Sequence, residues 1–324
     1  MILAGIDEAG YGPLLGPLVV GCCAFELDGN AGDDLPCLWA KLRRAVGKNR
    51  SRNGRKLHIN DSKKVYSPSI GLKELERSVL AMVATLGNWP DDLNQLVQMT
   101  AEHAVADLAE QCWYRAADGE LFPLEQDAAS IRVLCNGLKA EMHRSGAHCV
   151  HLGARVVPER PFNRMVSATR NKAAALFSIS AMHLDHLLRT HGRAAGGAVI
   201  FCDRQGGREH YGHLLRLMFD QWSLEVLRES DGHSEYRLLD GDSVVRIIFC
   251  ERAEEQCLPV AMASMLSKYL REAMMRRFNA FWRQHLPELT PTAGYYQDGN
   301  RFLIDIQAKR TELGIADADL IRCR

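Results

Sequence analysis

An apolar run, Met1-Ile2-Leu3-Ala4-Gly5-Ile6, stops on two adjacent acids, Asp7 and Glu8, and gives way to the small-residue stretch Ala9-Gly10-Tyr11-Gly12-Pro13. A second apolar run follows at 17–25. This pattern predicts a strand, an elbow carrying both acids, and a returning strand. Glycines let a backbone approach a ligand closely, and successive N–H groups in such a turn can hold an anion. An acid at the carboxyl end of a strand is also where open α/β sheets place their sites.

Two later acids stand in the same setting. Asp203 ends the apolar run 196–203, ahead of Gln205-Gly206-Gly207, and Glu254 follows the strand-like run 243–250 and precedes a helix. Taken alone, Glu254 could be an acid near a helix N-terminus, favourable there by about 0.3–1 kcal/mol. Glu255 competes with it for the same role.

Between these points strands alternate with helices. Helical periodicity is expected over 67–86, 93–113, 127–144, 171–189, 214–227 and 259–281, with a short helix near 38–45 and another close to the C-terminus. A turn at Asp118-Gly119 and Pro123 separates the second of these from the third. Residues 150–157 read as a further strand. The pattern predicts an α/β fold, a mixed sheet flanked by helices.

Four carboxylates on different strand ends repel one another unless a cation lies among them. Oxygen-only, acid-rich clusters suit Mg2+ or Mn2+ rather than zinc. Two such ions about 4 Å apart can serve phosphodiester hydrolysis. Net charge is zero, yet residues 41–64 hold ten basic side chains against one acid, Asp61, a stretch suited to phosphate. The ten cysteines include no CxxC pair and read as small buried hydrophobes in a reducing compartment. His183 and His186, three apart on a helix-like stretch with no further ligands at metal spacing, read as structural or solvent-facing. With no run of eighteen apolar residues and no basic region ahead of Asp7, a cytoplasmic protein without a membrane span is expected.

The motifs sharpen this. Gly5-Ile6-Asp7-Glu8-Ala9-Gly10-Tyr11-Gly12-Pro13-Leu14-Leu15-Gly16-Pro17 resembles the opening signature of type 2 ribonucleases H. Ile59-Asn60-Asp61-Ser62-Lys63-Lys64 is similar to that family's second block, Val199-Ile200-Phe201-Cys202-Asp203 to the strand ending on its third acid, and Ala253-Glu254 through 260–268 to the block of its fourth. Gly294-Tyr295 falls where the family has a late Gly-Tyr. Residues 87–148 have no counterpart and read as an inserted helical subdomain, and 222–241 is enlarged.

The resemblance implies a ribonuclease H-like sheet over 1–285 and a segment 286–324 carrying the Gly-Tyr motif. It implies that Asp7, Glu8, Asp203 and Glu254 ligate two Mg2+ or Mn2+ ions once substrate is bound. Lys63 and Lys64 would contact phosphates, Asn60 and Ser62 would shape that loop, and Lys268 would face the nucleic acid. Gly10 and Gly12 would approach the 2′-hydroxyl, and Tyr295 would stack on the sugar. A glutamate at the fourth position is closer to ribonuclease HIII than to ribonuclease HII. Ribonuclease HII carries Gly-Arg-Gly where this chain has Gly10-Tyr11-Gly12, which puts strict recognition of a single ribonucleotide in doubt, because one hydroxyl and a ring replace a fork of donors.

The expected activity is endonucleolytic cleavage of the RNA strand of an RNA/DNA hybrid, or of ribonucleotide-containing DNA, by a monomer. Two alternatives stand beside it: a non-catalytic nucleic-acid-binding protein that keeps the fold, and a related metal nuclease acting on another substrate such as structured DNA.

Overall fold

The computed structural model describes residues 1–30, 34–87, 89–115 and 120–323, so the expected Asp118-Gly119 turn lies outside the described residues. Among the described residues nine strands form: β1 (Ile2–Ala9), β2 (Leu18–Leu27), β3 (Val46–Gly47), β4 (Leu57–His58), β5 (Ala147–Val157), β6 (Ala198–Asp203), β7 (Ser223–Ser230), β8 (His233–Asp240) and β9 (Ser243–Cys250). Seven of them make one sheet in the order β5-β2-β1-β6-β9-β8-β7, and β3 pairs with β4 alone. The central strands β1, β6 and β9 run parallel, and the flanking pairs are antiparallel.

Alternation along each strand sends side chains to two apolar layers. Leu3, Val19, Cys23 and Phe25 join the layer built with the long helix Leu258–His285 and the helices Lys73–Val83, Leu93–Ala101 and Ala128–Ser145. Ile2, Ala4, Ile6, Val20 and Cys22 join the other, under Lys172–His191, Glu159–Thr169 and Gly212–Met218. Leu93, Leu96, Trp113, Ile131 and Leu138, from the stretch expected to be an insertion, belong to the same apolar cluster as Val19 and Phe25. That stretch packs onto the sheet.

Two glycines bring the long helix down onto the strands. A Cβ on Gly5 would stand 2.1 Å from the Val260 nitrogen, and one on Gly21 would stand 2.4 Å from the Ala263 carbonyl oxygen. The spacing of Ser264, Lys268, Arg271 and Met275 then aims one face of that helix at the elbow after β1.

Some expectations change. The helix expected over 214–227 ends at Met218, and 223–230 is strand β7. Pairing with β8 along its length, reinforced by Arg237–Glu225 at 3.0 Å, outweighs local helix propensity there. The helix expected from 67 starts at Lys73, because Pro68 and the left-handed Gly71 (φ +72°) precede it. The helix expected over 93–113 breaks where Ala101 leaves helical angles (φ −150°, ψ 41°) and continues in short turns.

Candidate active site

The register of the parallel strands sets the site. Ile6 pairs with Cys202, so Asp7 and Asp203 leave adjacent strand ends side by side. Asp203 pairs in turn with Cys250 at the end of β9. Arg252, in the left-handed region (φ 53°), then turns the chain into the short helix Ala253–Gln256 that carries Glu254. The Ala253 N–H donates to Asp203 Oδ1 at 3.3 Å, tying that turn to β6.

Asp7 is 9% exposed. Its Oδ1 accepts from the Glu8 N–H at 2.7 Å and its carbonyl accepts from Ser267 Oγ at 3.2 Å, and the neighbouring Ser264 side chain favours its ionised form. Burial, then the charges of Glu8 and Asp203, hold Asp7 well above the usual carboxylate range. Glu8 is pushed up to about 7 by burial and Asp203, with Lys63 opposing. Asp203 is raised by burial. Glu254, 9% exposed, is raised by burial, then by Asp203 and Asp61, with Lys63 again opposing. All four acids thus resist ionising together, the electrostatic signature of a place for added positive charge.

Lys63 is the ammonium whose charge lowers Glu8, Asp203 and Glu254 alike. Among the described residues, no three of the four carboxylates offer oxygens that all lie within 4.8 Å of one another. The donors are all carboxylate oxygens, which fits Mg2+ or Mn2+ in number and hardness. Glu255 is directed elsewhere: Lys64 Nζ bonds its Oε1 at 2.7 Å, and Lys48 Nζ bonds its carbonyl at 2.7 Å. Of the two adjacent glutamates, Glu254 is therefore the one that joins the acids.

Beside the acids opens a cleft of 230 Å3 lined by Glu8, Gly10, Tyr11, Gly12, Ser62, Lys63, Lys268 and Tyr295. Asn60 stays behind it, its Nδ2 donating to the Lys48 carbonyl at 2.8 Å and its Oδ1 accepting from the Asp61 N–H at 2.8 Å. Asp61 caps the turn Ser62–Val65 by accepting from the Lys63 N–H at 3.0 Å. Ser62 and Ser264 hydroxyls meet at 3.0 Å. Lys268 is paired with Glu272 at 2.7 Å and lies over the Tyr66 ring. Tyr295 is 51% exposed, with the Arg271 guanidinium 5.8 Å from its ring.

Nothing near the Gly10–Gly16 elbow in sequence signals what holds it. Arg322 is buried and donates to the carbonyls of Gly10, Tyr11 (3.0 Å) and Gly16 (3.4 Å). Arg271, also buried, bonds the carbonyls of Leu15 (3.2 Å) and Ala293 (3.0 Å), and a Cβ on Gly10 would strike its Nε at 2.6 Å. Glu159 Oε1 accepts from the Gly16 N–H (2.9 Å) and the Tyr114 hydroxyl (2.8 Å). The Gly294 carbonyl accepts from the Leu14 (2.8 Å) and Leu15 (3.2 Å) N–H groups, which brings Tyr295 to the cleft. Lys172 lies 4.9 Å over the Tyr11 ring. Asp61, Ser264, Arg271, Arg322 and Glu159 are thus site residues that the sequence reading did not single out. Asp61 and Ser264 sat inside recognisable motifs; Arg271, Arg322 and Glu159 did not.

Comparison with known proteins is local. Over 60 residues the chain is 44% identical to Ribonuclease HII of Methanocaldococcus jannaschii, which is 18% of this chain and 25% of that protein. The chain's match thus spans about a quarter of that relative's length. No protein-family model matches. Similar solved structures include the PCNA:RNase HII complex from Archaeoglobus fulgidus (13% identity, 100% of this chain and 95% of that one, TM-score 0.42). Others are Aquifex aeolicus RNase H3 (12%, 99% and 70%, TM-score 0.39) and Bst-RNase HIII in complex with Mn2+ (15%, 99% and 66%, TM-score 0.40). Overlays this loose establish nothing by themselves.

Proposed function

We propose that this chain, a relative of the type 2 ribonucleases H over its matched segment, is a divalent-metal-dependent endonuclease that cuts the RNA strand of RNA/DNA hybrids. The observation that carries the reading is the convergence of Asp7, Glu8 and Asp203 at adjacent strand ends with Glu254 on the short helix beyond β9, all four raised by burial and Asp7, Glu8 and Glu254 also by the Asp203 charge. Those residues would hold Mg2+ or Mn2+, two ions with substrate bound. Bound there, such ions would supply the positive charge that favours an attacking water and a leaving oxygen, the chemistry of a cut that leaves a 3′-hydroxyl and a 5′-phosphate.

The chain's own groups do the rest. The Glu8 N–H holds the Asp7 carboxylate in one orientation. Lys63, at the cleft wall, binds the phosphate next to the acids, and Lys64 and Lys268 meet phosphates further along after leaving Glu255 and Glu272. The backbone at Gly10 and Gly12 faces the 2′-hydroxyl, which distinguishes RNA from DNA. Tyr295 stacks on the sugar. In this reading 1–285 is the catalytic unit, 87–148 an insertion, and 286–324 the segment that delivers Tyr295.

The test is side-by-side cleavage of a labelled hybrid, a duplex with one ribonucleotide, and an all-DNA duplex, in Mg2+ and in Mn2+. Cutting of the hybrid, abolished by Asp203→Asn, is expected. Cutting of the all-DNA duplex alone would instead identify a nuclease of another substrate class. A second reading, nucleic-acid binding without cleavage, is favoured by one observation: Lys63 already supplies the acids with a counter-charge. Hybrid binding with no cutting in either metal would establish that reading.

A further inference from the structure

On the sheet face opposite Asp7, three side chains of a different chemistry meet. Cys22 of β2, His151 of β5 and His183 of the helix Lys172–His191 each offer one donor atom, and these atoms all lie within 4.8 Å of one another. Among the described residues this is the one such grouping of three. The register brings them together. Cys22 pairs with Gly153 and Ala24 with His151, and paired residues share a face, here the face covered by that helix.

Each member is set up to donate a lone pair. The His183 Nε2 lies 2.9 Å from the Val20 carbonyl. A carbonyl only accepts, so Nε2 carries the proton and Nδ1 of the neutral ring keeps its lone pair. Backbone hydrogen bonding of the non-ligating nitrogen is how metal-binding histidines are oriented. The His151 Nε2 is buried and has no hydrogen-bond partner, although buried ring nitrogens are normally paired. Gly153 leaves it room: a Cβ there would stand 2.9 Å from that nitrogen. Cys22 is fully buried and in no disulfide. His186, one turn beyond His183, packs against His151 with the rings tilted and their centroids 4.5 Å apart.

We propose that Cys22, His151 and His183 form a zinc site that staples β2, β5 and the helix Lys172–His191 together behind the elbow of the cleft. One sulfur and two imidazoles suit Zn2+, and exclude the hard ions that the carboxylates favour. Cys22 binds as thiolate, its proton leaving to water as the metal enters. Chain spacing hides the site, since its ligands come from three separate elements. It stands whether or not the carboxylates cut nucleic acid.

The test uses the full chain, stripped with chelator and titrated with Zn2+ or Co2+ in excess Mg2+, which keeps the carboxylates occupied. One zinc per chain, a rise in melting temperature, and a sulfur-to-cobalt charge-transfer band in the near ultraviolet are expected. That band requires a thiolate and cannot come from the acids. Cys22→Ala and His151→Ala should lose the band or weaken binding at least tenfold, while Cys135→Ala, in the opposite apolar layer, should retain both. A wild-type protein without the band, or a folded Cys22→Ala that binds zinc as before, overturns the proposal. Were Cys22→Ala to misfold, the wild-type cobalt spectrum and the His151→Ala titration still decide it, and their failure leaves His183 an ordinary buried histidine bonded to Val20.

Discussion

The two walls of the cleft are built by opposite means. The acidic wall grows from the ends of β1 and β6, and its elbow is held by Arg271, Arg322 and Glu159, all buried. The basic wall is the surface stretch around Lys48–Lys64, where Lys48 and Lys64 both bond Glu255. The first wall fixes positions to within a hydrogen bond. The second supplies charge, which acts over about 8–10 Å in salt and needs little precision. Substitutions should therefore separate into losses of chemistry and geometry on one side and losses of attraction on the other.

The largest expected effect is at the strand ends. Asp203→Asn or Asp7→Asn should lower turnover by ~10^3-fold or more. The same change should leave the metal-free fold intact and raise its melting temperature, since it removes a repelling charge. The sign can be checked by pH. Glu8 has its folded value raised from 4.5 to about 7, so its stabilising contribution is complete below about 4.5 and is lost as pH rises through 7. Thermal melts of metal-free protein should fall across that window, and added Mg2+ should restore them. An apoprotein that grows more stable from pH 5 to 8 would contradict the shared-charge account.

The second effect concerns the elbow. Arg322→Ala leaves the carbonyls of Gly10, Tyr11 and Gly16 without their donor and should cost about 3 kcal/mol in chemical denaturation. It also removes a counter-charge from Glu159, which burial already raises to about 7. Glu159 then moves higher still, and the variant should lose stability as pH rises through that value. An unchanged denaturation midpoint would show that the elbow is held by packing alone.

The same contrast explains what could be read in advance. The acids were legible because each lies at or just beyond the end of an apolar strand, and the strand pattern is written locally in runs such as 243–250. Glu254 could be preferred to Glu255 by motif spacing, and the structure turns Glu255 toward Lys64. Arg322 and Arg271 were not legible: nothing near either one in sequence tells a buried arginine from a solvated one, because the carbonyls they serve lie far away along the chain. β7 was missed for a related reason. Its partner β8, not its own composition, decides that it is a strand.

Lys63 stands between the walls and tests them against each other. It lowers Glu8, Asp203 and Glu254, so Lys63→Ala should raise those acids further. Removing that competing positive charge should also tighten Mg2+ binding while weakening hybrid binding. Calorimetric titration with each ligand separately measures both. If both affinities fall together, Lys63 is a structural post and the division between walls is wrong at that point.

The smallest effect belongs to the basic wall alone. Lys64 is exposed and paired with Glu255 at the surface, so Lys64→Ala should leave melting and metal affinity unchanged. Its contribution should appear only in the salt dependence of hybrid binding, where a lost phosphate contact lowers the slope of log K against log salt by about 0.7–0.9. Fluorescence anisotropy from low to moderate salt, in Ca2+ to suppress cutting, resolves a change of that size. A slope equal to wild type would place the nucleic acid away from Lys64 and confine the phosphate track to Lys63 and Lys268.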